Sequence, residues 1–248
     1  GGHSLFGATL RRFRKNGGQV AGLIWYQGCS DANGVSAPVF TRRMKALVSA
    51  VRRDLNHPRL PIVMVQISRV IGWSESGAGF WNSIQEQQRL LGDTIPYCAT
   101  VPAIDLELAD MIHLNSRSQV RLGQRLAYAM QVLRYGAKAG RPPIRLKKVK
   151  MLLGRNSLGD IAVEFENVVG RLRSGSRPAG FEFSGKNGTR KPFAMELQGN
   201  RVLIHSGITQ EMLSNMALHY GYGLDPYCNI VDEADRSLPG FGPYPFSN

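Results

Sequence analysis

The residues of this chain whose types and spacing could do chemistry lie in the stretch Asp110-Met111-Ile112-His113-Leu114-Asn115, where a carboxylate stands three residues ahead of an imidazole. In a loop leading into a helix, such an aspartate can accept a hydrogen bond from one ring nitrogen of the histidine. The other nitrogen is then left to act as a base, which is the acid-plus-base half of a hydrolytic triad. Asp-x-x-His on its own is also an ordinary surface pattern, so the surrounding chain has to decide its meaning. The other reactive residues are scattered. Cys29, Cys98 and Cys228 are odd in number and far apart, which makes neither a disulfide framework nor a metal-ligand pattern. Whether two of them form a bridge cannot be read from spacing. The five histidines also lack metal spacing.

The elements that must position this pair alternate strand and helix. Residues 20–26 are an apolar run bounded by glycines and read as a buried parallel strand, with Gln27-Gly28-Cys29-Ser30-Asp31 at its carboxyl end. Ligands in open α/β sheets bind at such strand ends. A basic helix is expected over 8–15, stopped by Asn16-Gly17-Gly18, and a second helix from Pro38 to about Leu55. A strand over 60–67 follows, then a helix over 81–91 with Gln85, Glu86, Gln87 and Gln88 facing outward, then a strand over 97–101. The loop with Asp105, Glu107, Asp110 and His113 comes next. Asn115 or Ser116 caps a helix to about Leu133, closed by Tyr135-Gly136. This alternation predicts an α/β fold with three α/β/α layers around a parallel sheet, over residues 1–138.

Gly140-Arg141-Pro142-Pro143 marks a change of pattern. Short apolar segments recur after it at 144–149, 161–165, 180–184, 193–197, 201–205 and 217–220. Gly185-Lys186-Asn187-Gly188 and Leu197-Gln198-Gly199-Asn200 read as hairpin turns. An all-β module over 143–248, a small sandwich, is expected. Its tail, rich in Pro, Gly and aromatics, packs on the sandwich or back on the first domain.

Composition bounds the function. A length of 248 residues and 43% hydrophobic content suit one large domain or two smaller ones. No run is long and apolar enough to cross a membrane. The opening Gly1-Gly2-His3-Ser4 lacks a signal-peptide pattern, and the missing Met suggests a fragment or a processed chain. The net charge is +13, but the basic residues are dispersed and no nucleic-acid-binding signature accompanies them. Neither nucleic acid nor a membrane is the expected partner.

Three segments in order carry a resemblance: Gly1-Gly2-His3-Ser4, then Leu23-Ile24-Trp25-Tyr26-Gln27-Gly28-Cys29-Ser30-Asp31, then Asp110-Met111-Ile112-His113-Leu114-Asn115. They are similar to the Gly-Gly-Thr-Ser, Trp-Tyr-Gln-Gly-Glu-Ser-Asp and Asp-x-x-His-Leu segments of the sialate O-acetylesterase and acetylxylan-esterase group of the SGNH hydrolase superfamily. The tail, with Tyr220-Gly221-Tyr222, Asn229 and Leu238-Pro239 before Phe241, also resembles that group. The likeness is strong to about Gly136 and weak after it. It implies hydrolysis of acetyl esters on sugars or glycans without metal or organic cofactor. His113 would be the general base and Asp110 its orienting acid. The Gly2 N–H and the Gln27 amide would be the oxyanion donors, the latter a type of contact worth about 10²–10³ in rate.

Two departures stand out. The family's nucleophilic serine lies in a Gly-Gln-Ser-Asn or Gly-Asp-Ser segment ahead of the Gly-Gly-x-Ser segment. That serine and the first strand or two of the sheet are therefore expected upstream of Gly1. The glutamate expected after Gln27-Gly28 is Cys29. Within the chain, Ser4 after two glycines and Cys29 as a thiolate are the alternative nucleophiles, and Ser30 and Asp31 belong to the same strand-end loop. Enzymes of this kind that act on polymeric glycans are usually exported, so a secreted or periplasmic location is expected. Two other readings stay open: an inactive carbohydrate-binding or accessory protein of the same fold, and a basic protein that binds polyanions in a salt-dependent way.

Overall fold

The computed structural model describes residues 4–153, 158–186 and 188–246, with the side chain of Leu153 also outside the description. Helix α1 (Leu5–Lys15) is followed by strand β1 (Leu23–Trp25), helix α2 (Phe40–Asp54), strand β2 (Ile62–Gln66), helix α3 (Ala78–Thr94), strand β3 (Cys98–Pro102) and helix α4 (Ser116–Tyr135). The three strands form one parallel sheet in the order β1-β2-β3. Every residue of β2 is buried, because strand alternation sends its side chains into two different cores. Ile62 and Met64 pack with Phe40, Met44 and Val48 of α2 and with Trp81, Ile84 and Leu91 of α3. Val63 and Val65 pack on the other face with Leu122, Leu126 and Ala129 of α4. Each fully buried aliphatic side chain of this kind contributes roughly 1.5–3 kcal/mol.

Several bounds differ from expectation. The first strand spans three residues rather than seven, since only Leu23, Ile24 and Trp25 pair with β2. A turn of 3₁₀ helix over Ala37–Val39 replaces the start of the second helix at Pro38. The Gln-rich helix α3 is longer at both ends than 81–91, and two of its glutamines point inward, not outward: Gln85 is 3% exposed and Gln88 1%. The spacing explains this. Positions 81, 84, 85, 88 and 91 share one helical face, and the two amides on it satisfy main-chain groups at the strand ends.

The remaining chain is antiparallel. Strands β4 (Arg145–Leu153), β5 (Leu158–Glu166), β6 (Leu172–Arg173), β7 (Phe181–Gly185), β8 (Gly188–Arg190), β9 (Ala194–Gln198) and β10 (Arg201–Thr209) precede helix α5 (Gln210–Ser214). Strands β11 (Ala217–Tyr220), β12 (Val231–Asp232) and β13 (Phe241–Pro245) follow. Two four-stranded sheets, β4-β5-β10-β9 and β13-β11-β7-β8, draw on one shared apolar core that includes Val163, Phe165 and Ile204 of the first and Phe183, Leu218 and Phe241 of the second. Of the two expected hairpin turns, the first has its ends paired, Gly185 with Gly188, with Asn187 itself outside the described residues; the second falls one residue later than expected, Gln198 pairing with Arg201 across Gly199 and Asn200. The tail packs both ways: β13 pairs with β11, and Gly240 exchanges hydrogen bonds with Gln66 at the end of β2. No helix among the described residues is long and apolar enough to cross a membrane.

Candidate active site

His113 lies on the return limb of a short hairpin between β3 and α4. Leu108 and Leu114 form an isolated bridge, the Ala109 N–H donates to the His113 carbonyl (2.7 Å), and the Asn115 N–H donates to the Glu107 carbonyl (3.1 Å). The hairpin is tied to α4, because Asn115 caps that helix by accepting from the Ser118 N–H and the Ser118 hydroxyl accepts from the Glu107 N–H. At its tip Asp110 divides its oxygens. Oδ1 accepts the backbone N–H groups of Ile112 (2.8 Å) and His113 (2.7 Å), while Oδ2 lies 2.8 Å from His113 Nδ1. The three-residue spacing makes this a local turn in which an aspartate binds its own following backbone. The two backbone N–H groups, that of His113 first, and then the imidazole hold the Asp110 carboxyl down to about 2. A carboxylate at Nδ1 keeps the ring proton there and leaves Nε2 as the acceptor. Both side chains are open to solvent, His113 by 78% and Asp110 by 56%.

Gln27 is held from two sides. Its Nε2 donates to Asp31 Oδ2 (2.6 Å), and its main-chain carbonyl accepts from Gln88 Nε2 (2.9 Å). Gln88 Oε1 accepts from the Ile67 N–H (2.9 Å), so one buried amide joins the segments that follow β1 and β2. Gly28 must pass close beneath it. Its φ is 151°, and a Cβ there would lie 2.6 Å from Gln88 Nε2. Only glycine meets both conditions.

These pieces meet in one cleft of about 540 Å³, lined by Tyr26, Gln27, Gly28, Cys29 and Ser30 on one side and by Ile112, His113 and Leu114 on the other. The volume is within the ~300–1,000 Å³ common for small-ligand sites. Asp31 and Asp110 stand behind Gln27 and His113 as their hydrogen-bond partners. Gly2 lies outside the described residues. Ser4 does not line the cleft; it is the N-cap of α1, where its hydroxyl accepts from the Gly7 N–H (3.0 Å). Cys29 does line it, but burial pushes its thiol up, the reverse of the lowered value that makes a cysteine nucleophilic. All three cysteines are unpaired. Tyr26 beside it is pushed up to about 12, first by burial and then by Cys29. Sequence reasoning missed Gln88, whose signal was its place on the apolar face of α3. It also missed Gln119, whose amide donates to the Leu114 carbonyl (2.9 Å) at the cleft wall.

A neutral donor at a strand end, facing an imidazole whose far nitrogen is oriented by a carboxylate, can polarise a carbonyl and move a proton. A structure described as a carbohydrate acetylesterase from Xanthomonas citri matches with a TM-score of 0.73, at 21% identity, over 90% of this chain and 50% of that one. At that identity the likeness is one of fold, a mixed α/β architecture. A protein described as a probable carbohydrate esterase of Arabidopsis thaliana is 35% identical over 117 residues, covering 47% of this chain and 42% of that protein. The chain thus spans half or less of the length of these two proteins. A family model described as carbohydrate esterase, sialic acid-specific acetylesterase, matches residues 1–132. That match takes in the β1 loop, the Gln-rich helix and the Asp110–His113 hairpin, and the chain belongs to this carbohydrate esterase family.

Proposed function

We propose that this chain carries the base and the orienting acid of a carbohydrate O-acetylesterase, acting on acetyl groups of sialate or xylan-type glycans. The observation that carries the reading is the 2.8 Å contact between Asp110 Oδ2 and His113 Nδ1 on the wall of a cleft shared with Gln27. In this reading the fold is of the SGNH type, with three α/β/α layers to about residue 138 and a β-sandwich from 143.

The chemistry is acyl transfer. A serine hydroxyl, supplied by a segment upstream of Gly1, attacks the acetyl carbonyl and gives its proton to His113 Nε2. Asp110 remains ionised and steadies the imidazolium. The oxyanion is met by the Gly2 N–H and by Gln27, whose amide nitrogen carries two hydrogens and spends one on Asp31. The ester C–O bond breaks, and the sugar hydroxyl leaves with the proton from His113. Water then attacks the acyl-enzyme, His113 takes its proton, and acetate and the free serine are restored. A second reading, a carbohydrate-binding protein without turnover, is favoured by one feature: the position of the family's glutamate holds Cys29, whose thiol stays protonated.

The test uses the full-length gene product with 4-nitrophenyl acetate. The wild type is expected to turn over, and His113→Ala to lose about 10³-fold or more of kcat, the scale of a triad base. Equal turnover in the variant would sink the assignment. Glycan binding without acetate release would favour the second reading.

A further inference from the structure

Two cavities lie apart from the His113 cleft. One of about 560 Å³ opens at the junction of the parallel-sheet half and the antiparallel half, and one of about 700 Å³ lies on the antiparallel half. Both are lined by Asp225, Pro226 and Tyr227, so they are the two sides of one groove divided by this three-residue ridge. We propose that the groove binds a neutral oligosaccharide chain, with a sugar ring laid on the face of Tyr227. The choice of a sugar as ligand rests on the carbohydrate reading above; the groove itself does not.

Tyr227 is 69% exposed on the ridge between the two hollows. An aromatic ring with a phenol at its edge offers an apolar face and a polar tip, which suits the C–H face and rim hydroxyls of a pyranose. The walls offer flat polar groups on either side. Arg173 and Ser174 line the first hollow, and Arg177 and Glu182 the second. A guanidinium or a carboxylate can serve two adjacent hydroxyls at once. The charges argue against a polyanion, because the first hollow sets three arginines against four carboxylates. Arg69 is already paired with Asp225, and Arg121 with Asp235 at 2.6 Å.

The groove is built in advance. Asn229 pins its far wall, accepting from the Ala179 N–H (2.8 Å) and donating to the Ser176 hydroxyl (3.1 Å) and the Arg177 carbonyl (3.0 Å). A wall fixed before binding lowers the ordering cost of holding a ligand. The ridge is also tethered to the hairpin that bears His113. The Val70 N–H donates to the Leu224 carbonyl and the Ile71 N–H to the Met111 carbonyl, each at 2.8 Å. A glycan in the groove is therefore anchored to the frame that carries the cleft.

The test is calorimetric binding by the full-length gene product to unacetylated hexasaccharides of xylose, glucose and mannose, with sialyllactose as the charged comparison. The expected result is binding to at least one neutral hexasaccharide, at least tenfold weaker in Tyr227→Ala and retained in Tyr227→Trp. Arg173→Ala, an exposed change on the other wall, is a second variant and is expected to weaken binding at least fivefold. Binding to none of the hexasaccharides, binding to sialyllactose alone, or an affinity unmoved by both alanine variants overturns the proposal. The probes carry no ester, so their binding does not depend on turnover. Failure of the full-length gene product to release acetate would therefore count against the esterase reading alone.

Discussion

Gln88 holds the main chain at Gln27: its Nε2 donates to the Gln27 carbonyl, and its Oε1 accepts from the Ile67 N–H, both at 2.9 Å. Gln88→Leu keeps most of the volume and removes both bonds, leaving two main-chain groups unpaired. The expected cost is roughly 2–6 kcal/mol, at about 1–3 for each buried group left unsatisfied. It would appear as a lower urea midpoint at unchanged m-value. In the esterase reading kcat falls as well, because the Gln27 loop loses its tie. A variant as stable as the wild type would show that the bonds are dispensable.

The burial of Gln88 depends on contacts that no local pattern in the chain encodes. The Asp110–His113 pair was legible because its geometry is local, a three-residue turn closed by its own backbone. Gln27 stood out only through the resemblance of its Trp25-Tyr26-Gln27-Gly28 segment to the family's pattern. Polarity alone assigns Gln85 and Gln88 to the surface, whereas their spacing from Trp81 and Leu91 marks the buried face. What burial required was a set of main-chain partners from the segments that follow β1 and β2, and those converge only in three dimensions. The Asp225–Tyr227 ridge was illegible for the same reason. Its neighbours, Asp105 and Arg173, are distant in the chain.

Asp110→Asn should separate orientation from architecture. Asn can still accept the Ile112 and His113 N–H groups through Oδ1, so the hairpin is expected to persist. Its amide then points a donor at Nδ1, which favours the wrong ring tautomer, and in the esterase reading about 10³–10⁴-fold of kcat is expected to be lost. The carboxyl is lowered from its ordinary 3.8 to about 2. Its bonds to the hairpin are therefore fully present above about pH 4 and lost as pH falls toward 2. NMR titration of the Asp110 carboxyl carbon would read this directly, and a midpoint near 4 would contradict the observed bonding.

In the esterase reading Cys29 is expected to be a bystander in turnover. Burial pushes its thiol up, so at neutral pH it has little thiolate to offer. Cys29→Ser in the full-length protein should change kcat/KM for 4-nitrophenyl acetate by less than about threefold, roughly 0.6 kcal/mol. Loss of activity in Cys29→Ser, or rapid inactivation by iodoacetamide that tracks Cys29 labelling, would instead make the thiol part of the reaction.

His219 should give the fold an acid limb. It is 4% exposed, 2.7 Å from the Ser184 hydroxyl, and its value is pushed down from 6.5 to about 4, mainly by burial with partial opposition from Glu86. Between those values the unfolded chain binds a proton that the folded chain refuses, so stability rises with pH over that window. Its span is on the order of 3 kcal/mol, at 1.36 kcal/mol for each pH unit. His219→Gln is expected to flatten this part of the stability–pH curve. An unchanged slope between pH 4 and 6.5 would place the titration elsewhere.

Arg125 and Asp105 form a buried pair, with each side chain 3% exposed. Their two parallel bonds measure 2.7 and 2.8 Å, and Arg125 Nε also donates to the Asp235 carbonyl (2.6 Å). The pair fastens α4 to the loop after β3, close to where the His113 hairpin begins. Arg125→Met leaves the Asp105 carboxylate buried with only Arg121, 3.4 Å away, and is expected to cost about 3–5 kcal/mol. Replacing both charges, Asp105→Leu with Arg125→Met, removes the uncompensated ion and should recover most of that loss. The comparison of single and double variants by urea denaturation decides the point. If the double variant is as unstable as Arg125→Met alone, the arginine acts through the Asp235 carbonyl and its packing, and the ion pair adds little.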